Sequence, residues 1–231
     1  MTDDLPGQHI ARRPLHFIWI IDVSSSMEGD KIGQLNFAIR ESIPAMQDVA
    51  KDNVGAEMLL RAVTFSSGAQ WHVAQATPVD QFSWTDVTAA GVTDLGHALR
   101  LVTEQLKIPP MSSRALQPVL VLISDGYPTD DYQGPLKQLL DEPWGKKAVR
   151  LAIAVGDDAD LDVLQRFIGH PEIKPMVAKN SATLVKFIRW ASTAVVKSVS
   201  QPVSRPTGRQ DDQPQVPVPA PPPPHGDPDV W

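Results

Sequence analysis

Four nearly continuous apolar runs of strand length stand out in residues 1–200: LHFIWII (15–21), EMLLRAVTF (57–65), PVLVLIS (118–124) and VRLAIAV (149–155). Runs of this kind belong to strands covered on both faces, so they predict central strands. Between them, apolar residues recur at helical spacing. One stripe holds Ile32, Leu35, Ile39 and Ile43, a second Leu95, Leu99, Val102 and Leu106, and a third Leu161, Leu164 and Ile168. A last helix is predicted from Ala182 to Val199, with Leu184, Ile188, Val195 and Val199 facing inward. The alternating piece AQWHVAQ (69–75) predicts an edge hairpin partner for the strand before it. Pro44 falls in the first helical stripe, where a proline is expected to kink or end the helix. Strands alternating with helices predict an α/β fold: a doubly wound, mostly parallel central sheet flanked by helices on both faces.

The pattern stops at Gln201. Ten of the 22 prolines lie beyond it, in a segment without periodic apolar positions that ends in VPAPPPPHGDPDVW. Such a composition cannot bury enough surface to fold alone, so residues 201–231 are expected to form a disordered proline-rich tail. Pro221–Pro224 favour polyproline II, as a spacer or as a ligand for an aromatic groove. The expected division is an N-terminal extension (1–11), one domain (12–200) and the tail (201–231).

Composition narrows the function. With 21 Lys and Arg against 27 Asp and Glu, the formal charge of −6 argues against nucleic acid as a partner. The chain has no cysteine, which excludes disulfides, zinc–thiolate sites and thiol nucleophiles and leaves oxygen or imidazole as metal ligands. Asp3 and Asp4 stand where a signal peptide would carry positive charge, and the run Phe17–Ile21 is too short to span a bilayer. A cytoplasmic protein with no membrane span is the expectation.

In open sheets ligands gather beyond the carboxyl ends of the strands. The run 15–21 is followed by Asp22-Val23-Ser24-Ser25-Ser26, the run 118–124 by Asp125-Gly126, and Thr93-Asp94 precedes the second helical stripe. Carboxylates and hydroxyls without nitrogen or sulfur suit a hard divalent cation: magnesium first, with manganese or calcium as alternatives. Each piece has a plainer reading. Asp22 satisfies turn amides, Thr93 caps a helix, and Asp125-Gly126 is a turn dipeptide. Three coincidences at three strand ends weigh against all the plain readings together.

DVSSS, the distant Thr93 and LISDG resemble the von Willebrand factor A domain and its metal-ion-dependent adhesion site, a likeness covering residues 12–200. The opening RRPLHFIWIIDVSSSMEGDKI and the string DGYPTDD look more narrowly like bacterial TerY-type domains of tellurium-resistance and stress clusters. The resemblance implies that Ser24, Ser26 and Thr93 ligate the ion, Thr93 directly or through water, while Asp22 and Asp125 mostly hold its waters. It further implies that a partner carboxylate completes the coordination, which makes the domain a protein-interaction module rather than an enzyme. The partner implied is a protein offering Asp or Glu, such as a kinase or phosphatase of the same stress system.

Ser25 stands where the family often has glycine, so a strained positive φ is expected there. Asp94, Asp130 and Asp131 read as caps, and the acidic string GDDADLDVL (156–164) as a loop capping the next helix. Its calcium-loop spacing fails, with Val163 at the required glycine and Gly169 at the required glutamate. The six histidines read as surface or helix-flanking, and Trp84 as a candidate for the rim of the metal face. Two other functions stay open. One is a metal-dependent phosphoester hydrolase, although Ser24 occupies the place of the second Asp that aspartyl-phosphate enzymes use. The other is an adaptor acting through the proline-rich tail.

Overall fold

The computed structural model describes residues 12–157, 159–200 and 218–223. Its core is a six-stranded sheet in the order β3-β2-β1-β4-β5-β6. The strands are β1 (Arg13–Asp22), β2 (Ala56–Ser66), β3 (Gly68–Pro78), β4 (Val119–Ser124), β5 (Val149–Val155) and β6 (Met176–Ala178). All neighbours pair in parallel except β2 and β3, the hairpin that puts 69–75 on an edge. The order leaves β1 in both directions, toward β2 and toward β4, so the topological switch lies between the ends of β1 and β4.

Alternation along each strand builds two cores. Leu15, Phe17, Trp19 and Ile21 of β1 and Val119, Val121 and Ile123 of β4 face α1 (Asp30–Asp52) and α6 (Ser181–Ser200). Ile18, Ile20, Leu120 and Leu122 face the other layer, made of α2 (Leu95–Gln105), α3 (Gln133–Asp141), α4 (Pro143–Lys147) and α5 (Leu161–Ile168). The doubly wound architecture predicted from the apolar runs is the one observed.

Several local expectations are corrected. The first helix runs unbroken through Pro44. Pro44 and Arg40, one turn earlier, are both exposed, so the carbonyl that proline leaves unbonded faces water. Leu161 points outward at 44% exposure, and the inward face of α5 is Val163, Leu164, Phe167 and Ile168. His16 is neither a surface residue nor beside a helix but half-buried in β1. Three elements fall outside the predicted set: α3, α4 and β6.

Candidate metal centre

The switch point gathers loops from three parts of the chain. Asp22 ends β1 and is fully buried; its Oδ1 accepts from the Ser24 amide (2.8 Å) and its Oδ2 from the Ser124 hydroxyl (2.6 Å) at the end of β4. Ser24 and Ser26 stand with their hydroxyls 2.9 Å apart. Between them the chain makes a 3₁₀ turn, Ser25–Met27, and no non-glycine residue among those described has positive φ. The strain expected at Ser25 is therefore absent. The 3₁₀ turn itself does the work of bringing Ser24 and Ser26 to one side.

The long crossing from β3 to α2 brings Thr93 to the same place, and its anchoring explains why. The Ser25 amide donates to the Gly91 carbonyl (3.0 Å) and the Ala90 amide to the Val23 carbonyl (2.8 Å). Gly91 has φ +85°, and a Cβ there would lie 2.6 Å from the Ser67 hydroxyl, so this contact requires glycine. Further back, Asn36 of α1 holds the crossing by three bonds. Its carboxamide oxygen accepts from the Trp84 indole and the Val87 amide, and its NH2 donates to the Val87 carbonyl, all at 2.9 Å. Trp84 is thus buried against Trp19, with ring centroids 6.2 Å apart, and does not form a rim.

Thr93 is not the cap of α2. Asp94 occupies the cap position, yet its own side chain makes no capping bond either. It accepts instead from the Gly68 amide (2.7 Å) and the Thr129 hydroxyl (3.0 Å), tying the β2–β3 turn to the loop after β4. The capping is done from a distance by Asp130, which accepts from the amides of Gly96 (2.9 Å) and His97 (3.1 Å). Asp131 caps α3 through Gln133 and Gly134, and Asp160 caps α5 through Asp162 and Val163. Asp158, in the same acidic string, lies outside the described residues. Thr129 completes the lattice: its hydroxyl accepts from the Thr93 amide (3.0 Å) and its amide donates to the Thr93 carbonyl (2.8 Å). Ser124, Thr129 and Asn36 are positioning residues that sequence reading missed. Hydroxyls and amides in such segments carry no periodicity to betray them.

Asp125 sits at the end of β4, 2% exposed, and its buried Oδ1 has no hydrogen-bond partner among the described residues. Its carbonyl accepts from the Asp160 amide (2.7 Å), and Gly126 follows at φ +81° with Asp160 backbone where a Cβ would go. The loop is therefore pinned where it leaves β4. Burial raises the Asp22 pKa above the usual carboxylate range, against bonds from Ser124 and Ser24, and repulsion from Asp125 adds to the rise. Two buried carboxylates, one with an orphaned oxygen, beside paired hydroxyls form a donor set that fits a hard cation. Asp94, His97 and Asp130 also place ligand atoms within 4.8 Å of one another, but both carboxylates are engaged by backbone amides.

Solved structures with this fold include an ArnB paralog, VWA2, from Sulfolobus acidocaldarius (17% identity, TM-score 0.57, 77% of this chain and 45% of that one). A von Willebrand factor type A protein from Catenulispora acidiphila is similar at 16% identity and TM-score 0.58, over 79% of this chain and 42% of that one. So is proximal thread matrix protein 1 of the mussel byssus, solved with zinc in its MIDAS motif (14%, TM-score 0.62, 78% and 48%). The chain spans under half the length of each of these proteins. No curated protein matches it in sequence. The profile of the von Willebrand factor type A domain matches residues 18–189, and the chain belongs to that family.

Proposed function

We propose that this domain is a metal-ion-dependent protein-interaction module. In this reading Ser24, Ser26 and Thr93 offer hydroxyl ligands to a divalent cation, and Asp22 and Asp125 hold it from behind, largely through water. The cation supplies a positive centre that a partner's Asp or Glu can ligate. The observation that carries the reading is the buried Oδ1 of Asp125, without a partner among the described residues, beside Asp22 at the switch point. A carboxylate in that state asks for a cation. Magnesium is the ion the all-oxygen donor set favours, with manganese or calcium as alternatives, and the zinc-bearing mussel structure makes zinc worth including in the test.

The rim of this face is not Trp84. Val92 and Tyr127, which flank Thr93 and follow Gly126, are 47% and 54% exposed and offer apolar contact around a bound carboxylate. The reading is non-enzymatic: Ser24 stands where a phosphotransfer site would need its general acid. The TerY-type likeness points to a protein partner of a bacterial stress system, such as a kinase or phosphatase, in the cytoplasm. No helix among the described residues is long and apolar enough to cross a membrane.

The test is calorimetric titration of Mg2+, Mn2+ and Zn2+ into the full chain and into Ser24→Ala, followed by capture of partners with and without chelator. Loss of metal binding in the variant and chelator-sensitive capture are expected. Undiminished metal affinity in Ser24→Ala would overturn the site.

A further inference from the structure

Residues 218–223 belong to the proline-rich segment, yet they lie against the domain. Val218 packs against the apolar cluster that α1 and α6 share with the sheet, and the Lys186 ammonium of α6 donates to the Pro223 carbonyl at 2.7 Å. Val218, Pro219 and Pro222 are half-buried, whereas Ala220, Pro221 and Pro223 are exposed, so the two prolines three residues apart share the side turned to the protein. Three residues per turn is the repeat of polyproline II, so Pro219 and Pro222 fall on one edge of such a helix, turned toward the protein.

From these contacts we infer that the outer face of α6 around Lys186 is a docking surface for a P-x-x-P strand, and that residues 218–223 of this chain are its occupant. The chemistry of the strand sets what must recognise it. Pro219 and Pro221–Pro223 have no N–H, so from 221 onward the strand offers only carbonyl acceptors, and the group that reads that end has to be a donor. Lys186 is a charged one, and its bond fixes the register along the strand. A polyproline strand loses little conformational freedom on docking, which lets a small contact suffice.

Chain length favours the same molecule over a neighbour. Pro223, the residue that Lys186 holds, lies 23 positions beyond Ser200. An ideal random coil of that length has a root-mean-square span of about 26 Å, and the way back along α6 from Ser200 to Lys186 is about 21 Å. A matched span gives an effective local concentration in the millimolar range, so even a weak contact is populated. While docked, Pro219 and Pro222 are withheld from any aromatic-lined groove in another protein.

The absence of cysteine allows a clean test. A spin label on Ala220→Cys, at an exposed position, is expected to broaden the amide signals of Lys186 and its neighbours in the full chain, equally on dilution. Lys186→Ala, a surface change, is expected to lower the docked-to-free ratio about fivefold, and Pro219→Ala with Pro222→Ala to do the same. Broadening that is absent, spread evenly over the surface or unchanged by Lys186→Ala overturns the docking. Broadening seen only between spin-labelled and separately isotope-labelled copies assigns the occupant to a second molecule and overturns the intramolecular form.

Discussion

His16, by its setting, makes stability depend on pH between about 6.5 and 4. Half-buried in β1, it is held near pKa 4 instead of 6.5, first by desolvation and then by the Arg61 guanidinium on the neighbouring strand. The folded protein therefore resists protonating a group that the unfolded chain protonates readily. Its contribution is fully present above the unfolded pKa of 6.5 and is lost as pH falls toward 4. The loss reaches at most about 3 kcal/mol, less in so far as water reaches the ring. Urea denaturation of the wild type and His16→Gln between pH 7.5 and 4 should show the wild type losing stability more steeply, and parallel curves would refute the assignment. The apolar run around it places His16 in β1, but reading it as surface or helix-flanking misses its burial there. Its partner is not legible, because the pairing of β1 with β2 is set by tertiary register, not by local sequence.

At the scale of elements, side chains that end or interrupt helices govern what holds. Arg150 of β5 donates through Nε to the carbonyls of Phe167 (3.0 Å) and Ile168 (3.2 Å) at the end of α5, and through a terminal nitrogen to Gly145 (2.8 Å) in α4. Arg150→Ala strands these acceptors and is expected to cost about 2–4 kcal/mol, read by chemical denaturation. Pro44→Ala has the opposite sign. It restores a helix bond worth part of about 3 kcal/mol and frees the unfolded chain by less than about 1, so a net gain of about 2 kcal/mol is expected in a thermal melt. The same two residues show where sequence reading stopped. Arg150 lies inside an apolar strand run, where its period marks a strand but not the helix ends it serves. Backbone sterics alone predict a break at Pro44, and the structure places it on the solvent face, where the freed carbonyl is hydrated and the helix continues. The strands and long helices are legible because burial imposes long apolar patterns on them; α4 and β6 are too short to carry one, and α3, no shorter than α5, carries only the short pair Leu136 and Leu139 at helical spacing.

Across the whole molecule, stability and binding meet at the switch point. A negatively charged chain buries two carboxylates there, and the fold pins both: Asp22 by Ser24 and Ser124, and the Asp125 loop through Asp160. An arrangement that disfavours the metal-free fold is the arrangement a cation would relieve, so metal binding and folding should be coupled by mass action. At a free Mg2+ concentration a hundredfold above its dissociation constant the gain is about 2.7 kcal/mol, several degrees in melting temperature for a chain of this size. Asp125→Asn separates this from a structural role for the carboxylate. The amide removes the buried charge and its repulsion of Asp22, so the variant should melt above the wild type in chelator and gain nothing from magnesium. If Asp125 instead serves only to hold its loop, the variant will melt below the wild type in chelator, and the magnesium-induced rise will survive the substitution.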